Sequence, residues 1–291
     1  MRLLLLPLLL AASCSWNAAG TTGCRAAGPP WPLPQVLRES SGVAWSRVAP
    51  GVLWSHNDSG HEATLYAMDT RGTLLGTVPL RGASNRDWED IATGPCPAGI
   101  CLYVGDIGDN AEVRDGIVLY RVEDTGTFDG TPRAAEAFPM VLPDGPRDME
   151  ALFVLPGEEV FFITKGRAHP VTVYRYPPPL RSGEVVTLEA VQSLTEGPVP
   201  IPSQVTGADA TPDGGLVVVR TYQSLSFYRM EEGRLVAIAG GRVNLRTLEE
   251  AQGEAVGIGP GGLVALTSEE GLLGRGATLN LLECEVLKRP D

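Results

Sequence analysis

Short apolar runs alternate with polar turns along most of the chain, and one arrangement of such runs recurs five times. Each unit has a small or acidic residue near its start and continues as a short apolar segment, in SGVAW (41–45), WEDIA (88–92), MEALF (149–153), TGADA (206–210) and GEAVGI (253–258). Apolar runs of this length, bounded by Gly, Pro and Asp, are typical of β-strands. The pattern therefore predicts an all-β protein built from a repeated unit.

Further strands complete each unit. A second apolar run begins at Val52, Cys101, Val160, Leu216 and Leu263. A third run reads TLYAMD, IVLYRVE, VTVYRY, LSFYRM or TLNLLECEV, and weaker fourth strands are predicted at 74–80, 134–142, 185–194 and 235–243. The repeats are 47, 61, 57 and 47 residues apart when the aligned residues are Gly42, Glu89, Glu150, Gly207 and Glu254.

Four-stranded units that repeat every 40 to 50 residues or so, with loop insertions in the longer ones, are typical of propeller blades. We therefore predict a β-propeller of four-stranded blades over residues 35–291, with five blades preferred. A sixth blade would have to lie within residues 124–146 or 177–203. The fifth unit lacks a fourth strand, and the segment around 35–38 can supply it, which would close the ring through a mixed N- and C-terminal blade. A plain β-sandwich would not explain the recurrence.

The N-terminus has the composition of an export signal. The sequence MRLLLLPLLLAASC carries one positive residue, Arg2, and then an apolar run that is too short to span a bilayer. Small residues before Cys14 resemble a bacterial lipoprotein cleavage box, so we predict a signal peptide over 1–13, a lipid on Cys14 and a Pro-rich tether over 14–34. Ordinary cleavage nearer Ala19, with release of the protein, is the alternative. Both interpretations predict an exported protein, which is either membrane-anchored or free in the periplasm or outside the cell.

Composition narrows the classes of partner. The chain has 291 residues, a hydrophobic content of 43% and a formal net charge of −12. These values suit one folded domain. No basic run interrupts the acidity, and because phosphate binding needs clustered Lys or Arg, a nucleic-acid partner is not expected. We expect a monomer that binds a small molecule or a surface ligand and that meets a membrane only through the lipid on Cys14.

Cysteine spacing agrees with export. Five cysteines are present, and assigning Cys14 to a lipid leaves an even number for an oxidising compartment to pair. Cys96 and Cys101 bracket the short loop PAGI and are predicted to bond to each other. Cys24, near the mature start, is then left to meet Cys284, near the end, which would lock the closure of the ring. A metal-thiolate site is less favoured because the spacing is not that of two CxxC knuckles.

The stretch from NRDWEDIATG to CLYVGDIGDN (85–110) gathers acidic residues around two predicted strands. Carboxylates this close together repel, raise one another's pKa or bind a cation. In a propeller blade the first strand lines the central channel, and the loop entering it shares a face with the loop between the second and third strands. The metal ligands predicted at that channel mouth are Glu89, Glu150, Glu254, Asp87, Asp106 and Asp109. Oxygen donors in this number favour Ca²⁺ over zinc, although another divalent cation would also fit.

Other polar residues are expected around the same mouth as ligand-binding groups: Asn57, Asp58, Asn110, Asp148, Lys165, Arg220 and Glu269. Each carboxylate could instead cap a turn or pair with Lys165 or Arg220. His56 and His61 flank the sequence NDSG, whose composition is sufficient for a tight turn, so neither is assigned a role. Ser59 and Ser203 lack a G-x-S-x-G context, which disfavours a Ser-His-Asp hydrolase.

Seven segments, taken together, give the chain a family resemblance: WEDIATGP, LYVGDIGDN, VLPDGPRDMEAL, ITKG, VTGADATPDG, RTY and QGEAVGI. It resembles a group of exported bacterial propellers loosely related to the phytase-like and the NHL or SMP-30-like propellers, over about residues 39–270. Similarity to phytase-like propellers implies calcium and a phosphate-ester substrate, and similarity to SMP-30-like propellers implies a divalent metal and lactone hydrolysis. Lys165 and Arg220 are the only basic residues assigned to the mouth, which departs from the phosphate-handling pattern.

Two functional hypotheses follow. In the first, the propeller is a non-catalytic ligand-binding module whose ion is structural. In the second, it is a metal-dependent hydrolase of an ester, lactone or phosphate ester, in which a glutamate holds the metal and Lys165 or Arg220 steadies the developing anion. The first is preferred because no complete general-base constellation is visible in the sequence and ion binding alone explains the acids.

Overall fold

The computed structural model describes residues 23–271 and 275–288. The signal peptide predicted over 1–13, the lipid on Cys14 and the alternative cleavage near Ala19 lie outside these residues. Within the described ranges, no helix has the length and apolar content that crossing a membrane requires.

Five antiparallel sheets form the ring of a five-bladed β-propeller, as the recurrence in the sequence predicts. The described chain begins with two short strands, β1 (Cys24–Ala26) and β2 (Trp31–Pro32). The first blade then consists of β3 (Ser40–Trp45), β4 (Val52–Asn57), β5 (Thr64–Asp69) and β6 (Leu74–Arg81). The second contains β7 (Trp88–Cys96), β8 (Gly99–Asp106) and β9 (Ile117–Glu123), and after the short β10 (Arg133–Ala134) it is completed by β11 (Glu136–Val141).

The third blade comprises β12 (Met149–Leu155), β13 (Glu159–Thr164) and β14 (Thr172–Arg175), and after β15 (Val186–Thr187) it ends with β16 (Glu189–Ser193). The fourth is built from β17 (Val205–Ala210), β18 (Leu216–Thr221), β19 (Ser224–Glu231) and β20 (Arg234–Asn244). The fifth contains β21 (Gln252–Ile258), β22 (Leu263–Glu269) and β23 (Thr278–Cys284). Single 3₁₀ turns lie at Ile201–Ser203, Arg246–Leu248, Pro260–Gly262 and Glu285–Leu287. The connections considered for a sixth blade contain the fourth strands β11 and β16 and, besides these, only the short β10 and β15, which pair in parallel with β6 and β11.

Both chain ends contribute to the fifth blade, which confirms the predicted mixed closure. The strand that closes it is not the one predicted, because β1 and β2 pair with β23 whereas residues 35 and 36 form a turn. Residues 24–32, assigned to the tether from the sequence, therefore belong to this blade. Pro29 and Pro30 lie between β1 and β2 and lack the backbone donors that a continuous strand would need, so the edge is formed from two short pieces. The disulfides Cys24–Cys284 and Cys96–Cys101 are both present, as predicted.

Apolar side chains fill the space between neighbouring blades. Trp54 and Trp88, for example, are fully buried in the cluster between the first and second blades. Polar contacts near the channel axis join the second blade to the third and the fourth: Asp90 Oδ2 accepts the amide hydrogens of Leu152 at 2.9 Å and of Ala208 at 3.1 Å. A carboxylate that accepts backbone amides in this way stabilises the inner strands. Asp90, part of the acidic stretch, therefore holds blades together and does not face the mouth.

Candidate metal centre

A β-bulge interrupts the innermost strand of every blade at the same point of the pairing. The inner strand skips one residue against its neighbour in each case, and the skipped residues are Ser41, Glu89, Glu150, Thr206 and Glu254. A bulge leaves its extra residue out of the ladder and re-aims its side chain, and bulges are common next to functional sites. The repeated bulge therefore gives the ring one matching position per blade, occupied by three glutamates and two hydroxyl residues, all of them buried.

The alignment made from the sequence was correct in three blades and wrong by one residue in two. Gly42 and Gly207, chosen there, are ladder residues, and the bulged positions are Ser41 and Thr206. Both glycines lie against a neighbouring inner strand, which leaves no space for a side chain. A Cβ on Gly207, for instance, would lie 3.0 Å from the carbonyl oxygen of Glu254.

Glu89 is the central carboxylate of the mouth. It belongs to two groups of three acidic residues whose donor atoms lie within 4.8 Å of one another, Asp58–Asp87–Glu89 and Glu89–Asp148–Glu150. Only 7% of the Glu89 surface is exposed. In the described part of the chain its carboxylate has neither a hydrogen bond nor an ion pair with protein. A buried carboxylate without a partner is costly, and such a group must take up either a proton or a cation.

The two groups differ in how their charge is balanced. In the second group, Lys165 Nζ lies 2.5 Å from Glu150 Oε1, and a guanidinium nitrogen of Arg167 lies 3.3 Å from Asp148 Oδ2. Among the described residues, no basic side chain forms an ion pair with any member of the first group. Buried acidic clusters of this kind can bind a metal, and the uncompensated group is Asp58–Asp87–Glu89.

Gly108 leaves the space that brings two of these carboxylates together. A Cβ on Gly108 would lie 2.1 Å from Glu89 Oε1 and 2.6 Å from Asp87 Oδ2. The amides of Ile107 and Gly108 both donate to the carbonyl oxygen of Asp87 at 3.1 Å, which fixes the loop against the start of β7. Gly108, the second glycine of GDIGDN, therefore has a steric role, because the side chain of any other residue would push the two carboxylates apart.

Asn85 fixes the backbone around Asp58. Its amide nitrogen donates to the carbonyl oxygens of Asn57 at 3.0 Å and of Asp58 at 2.8 Å, and its side-chain oxygen accepts the amide of Trp88. Asn57 in turn bonds the Glu39 amide and the Val36 carbonyl. Both asparagines therefore stabilise the mouth through hydrogen bonds to its backbone.

Asp106 and Asp109, predicted as metal ligands, are engaged by protein groups. Arg114 donates to Asp106 Oδ1 at 2.8 Å, and its backbone amide donates to Asp109 Oδ2 at 2.7 Å. Asp106 also accepts the backbone amides of Arg86 and Asp87. These two aspartates order the loop that carries Gly108.

Two further residues predicted at the mouth are also engaged elsewhere. Arg220 is fully buried, pairs with Glu250 at 2.5 Å and donates to the carbonyl oxygens of Ala255 and Thr267. Asn110 is exposed, and its side-chain oxygen accepts from Arg167, which links it to Asp148. Arg220 is therefore a support between the fourth and fifth blades, and its charge is neutralised before any ligand arrives.

Glu254 and Glu269 form the side of the mouth contributed by the fifth blade. Gln252 donates from one amide nitrogen to Glu254 at 2.7 Å and to Glu269 at 2.8 Å, and Ser41 approaches Glu269 at 3.5 Å. Burial raises the pKa of Glu254 to about 7, although the Gln252 hydrogen bond opposes the shift. Burial together with the charge of Glu254 raises the pKa of Glu269 to about 8.

The same causes act at the acidic groups around Glu89. Burial, and then the charges of Glu150 and Asp58, hold the pKa of Glu89 well above its usual range. Burial and the neighbouring aspartates raise the pKa of Asp87 to about 6. Burial alone would lower the pKa of Lys165, but the charges of Glu150 and other neighbours raise it, so this amine stays protonated. The mouth therefore holds one fixed ammonium and a set of carboxyls ready to exchange protons for a cation.

Metal-free protein is expected to lose stability as the pH rises from about 5 to about 8. Glu254 and Glu269 have a higher pKa in the folded protein than the value of 4.5 expected for the unfolded chain, so the folded protein keeps protons that the unfolded chain has released. Their contribution to the free energy of unfolding is therefore complete below about pH 4.5 and disappears as the pH passes 7 to 8. Urea midpoints measured in EDTA from pH 5 to pH 8.5 test this. Glu254→Gln should flatten the decline, whereas Glu184→Gln, at an exposed surface pair, should leave it unchanged. Midpoints that are flat or rise over this range would contradict it.

Several supporting residues were not found from the sequence. No sequence pattern indicates the roles of Gly108, Arg114, Gln252 and Arg167, because these roles depend on contacts across loops. Asp58 was expected only as a ligand-binding residue, but it belongs to the uncompensated carboxylate group. His56 is fully buried against Trp88, and burial lowers its pKa to about 4, so it is a neutral core residue.

Comparison with known proteins shows the fold. No protein-family model matches the sequence, and no curated protein matches it by sequence. The PQQ-bound aldose sugar dehydrogenase of Streptomyces coelicolor aligns with 91% of this chain and 99% of its own, at 14% identity and a TM-score of 0.53. A luciferin-regenerating enzyme aligns with 84% and 91%, at 11% identity and a TM-score of 0.51. A glucose dehydrogenase aligns with 88% and 99%, at 14% identity and a TM-score of 0.48. The chain shares the propeller fold of the aldose sugar dehydrogenase and the luciferin-regenerating enzyme.

Proposed function

We propose that this protein is a propeller that binds a divalent cation, preferentially Ca²⁺, at its acidic channel mouth and uses the cation to hold a small-molecule or surface ligand. The observation that carries the proposal is Glu89, a buried carboxylate that is shared by two acidic groups and has no partner in the described part of the protein. All members of both groups offer oxygen, the donor that calcium prefers, and neither group contains His or Cys to favour zinc.

Asp58, Asp87 and Glu89 are the residues that would hold the ion. When ionised they supply three negative charges, and they have no basic partner among residues 23–271 and 275–288, whereas Glu150 and Asp148 already face Lys165 and Arg167. A bound divalent cation would supply a positive centre for the oxygen atoms of a ligand. Lys165, held at 2.5 Å from Glu150, would lie beside such a ligand as a second, fixed positive charge.

Gly108→Ala tests the site without changing any charge. The added methyl would meet both Glu89 and Asp87, so we expect the calcium Kd to rise at least about tenfold, which corresponds to about 1.4 kcal/mol. Gly197→Ala is the matched control, because a Cβ there meets nothing within 4 Å. Calcium titrations of the wild type and both variants provide the measurement. Equal affinity in all three proteins would show that the ion does not bind between Asp87 and Glu89.

Metal-dependent hydrolysis of an ester, lactone or phosphate ester is the second candidate. Lys165 favours it, because a buried ammonium beside the proposed cation position could stabilise the oxyanion that forms during attack on a carbonyl or phosphoryl group. Assays of the three substrate classes in calcium and in EDTA separate the candidates. Calcium-dependent turnover that Lys165→Met abolishes would support the hydrolase, and ligand binding without turnover would support the binding module.

We also propose that the protein is exported and anchored through a lipid on Cys14. The N-terminal sequence and the two disulfides, which persist in oxidising compartments, support this. Membrane fractionation of the wild type and of Cys14→Ser tests the anchor. A wild type that is fully soluble and begins near Ala19 would contradict it.

A further inference from the structure

A cavity of about 460 Å³ opens between the fourth and fifth blades, beside the carboxylate mouth. Its apolar wall consists of Ile201, Pro202 and Ala251, together with the ring of Tyr222. Ile201 is 70% exposed, although it lies in a short 3₁₀ turn that could have carried a polar residue. The volume falls within the range of small-molecule sites, roughly 300 to 1,000 Å³.

The cavity shares two residues with the mouth. Gln252 lines the cavity and donates to both Glu254 and Glu269. Tyr222 also lines it, and the charges of Glu254, Glu150 and Lys165 all act on its hydroxyl, which places that oxygen near the acidic groups. Within the described chain this hydroxyl has no protein hydrogen-bond partner. A ligand that bridges the cavity and the mouth would therefore meet one free donor at the junction.

Most polar groups of the other side chains of the cavity are already engaged. Glu250 accepts from Arg220 and Asn280, and Arg246, which also lines the cavity, donates to the side-chain oxygen of Gln223. The amide nitrogen of Gln252 is occupied by the two glutamates. A polyhydroxylated ligand needs many unoccupied donors and acceptors, and leaving its hydroxyls unpaired in such a cavity would be unfavourable. An apolar ring, in contrast, matches the wall of Ile201, Pro202 and Tyr222.

We propose that this cavity binds the apolar ring of a small aromatic carboxylate or ester, with the ligand's carboxyl oxygens directed to the channel mouth. The inference rests on the proposed cation site, because the mouth would repel a carboxylate unless a cation is present there. It adds the class of ligand: a ring-bearing acid or ester, as opposed to a sugar or another polyol. Tyr222 connects the two regions, with its ring facing the cavity and its hydroxyl near the mouth.

The experiment measures binding of 4-fluorophenylacetate by ¹⁹F NMR titration in 1 mM calcium, with fluoroacetate as the probe that lacks the ring. We expect 4-fluorophenylacetate to bind at least about tenfold more tightly than fluoroacetate, because a ring buries enough apolar surface for such a difference. Ile201→Ser should weaken 4-fluorophenylacetate about fivefold by removing apolar contact, and it adds no charge. Val185→Ser is the matched control, since Val185 is 68% exposed and lies outside the cavity.

The outcomes separate this inference from the proposed function. Normal calcium binding with equal affinity for the two probes, or with no effect of Ile201→Ser, would overturn the cavity assignment and leave the cation site intact. Ring binding that persists in EDTA but still weakens in Ile201→Ser would support the cavity and contradict the role of the cation. Stronger competition from gluconate than from phenylacetate would overturn the exclusion of polyols.

Discussion

Glu89→Gln is expected to abolish calcium binding and, in metal-free protein at pH 8, to raise the free energy of unfolding. The substitution keeps the side-chain volume and removes a charge that faces Asp87, Asp58 and Glu150 without a partner. Two like charges about 4 Å apart repel by up to about 4 kcal/mol at an effective dielectric of 20. Because the raised pKa means that protonation already relieves part of this repulsion, we expect a gain of about 1 kcal/mol. Urea unfolding in EDTA provides the measurement.

Glu150→Gln should have the opposite effect, although both glutamates occupy the same bulge position. Repulsion among the clustered carboxylates, taken alone, predicts that removing the charge of Glu150 stabilises metal-free protein. The structure revises this prediction, because Glu150 is the 2.5 Å partner of the buried Lys165. Removing one member of a buried ion pair leaves the other uncompensated, which typically costs about 3 to 5 kcal/mol. Equal effects of the two substitutions would mean that the difference in pairing between Glu89 and Glu150 is not real.

Calcium should add its own stabilisation to the wild type. A ligand that binds only the folded state raises the free energy of unfolding by about 2.7 kcal/mol at a hundredfold excess over Kd. The gain should disappear in Glu89→Gln and in EDTA. The exposed variant Glu184→Gln should retain it in full. An equal calcium response in Glu89→Gln and the wild type would show that the ion binds elsewhere.

Loss of the Cys24–Cys284 disulfide is the second large effect that we expect. The bond closes a loop across a sequence separation of 260 and fixes β1 against β23 in the closing blade. In the chain-entropy account, closing a loop of this length restricts the unfolded chain by about 5.6 kcal/mol, whereas a loop of five or six residues contributes about 2 kcal/mol. The double variant Cys24→Ser/Cys284→Ser should therefore lose roughly two to three times as much stability as Cys96→Ser/Cys101→Ser, whose bond has a separation of 5.

Guanidinium unfolding of the oxidised wild type and both double variants measures the difference. All samples need the same calcium concentration, so that metal binding does not contribute to the comparison. A larger loss from the Cys96–Cys101 pair would contradict the role assigned to ring closure. The same result would indicate that the hairpin of β7 and β8 limits stability.

The number of blades could be predicted from the sequence because each blade repeats the same apolar and turn pattern over a similar length. The closing strand could not, because β1 and β2 are three and two residues long and depend on the edge of β23 for their pairing. The alignment error at Gly42 and Gly207 has a related cause. A bulge shifts the pairing by one residue, and nothing in the composition of SSGVAW or VTGADA marks where that shift occurs.

The acidic mouth could be predicted, because the glutamates recur at the same position of WEDIA, MEALF and GEAVGI. The distribution of charge within it could not. Whether Glu150 or Glu89 is paired depends on the direction of the Lys165 side chain, and whether Asp106 is free depends on Arg114 eight residues later. These choices are set by packing between loops of different blades, which a periodic pattern does not contain. The space at Gly108 is a further example, since only the folded loop brings it against Glu89.

The central claim is that Glu89 and its neighbours bind a divalent cation, and isothermal titration calorimetry of calcium into chelator-treated protein at pH 7.5 tests it most directly. We predict one calcium ion bound per chain in the wild type, with release of protons that makes the measured heat depend on the buffer, because the carboxyls hold protons before the ion arrives. Glu89→Gln should show no binding, and Glu184→Gln should match the wild type. The absence of calcium binding by the wild type, or undiminished binding by Glu89→Gln, would contradict the account.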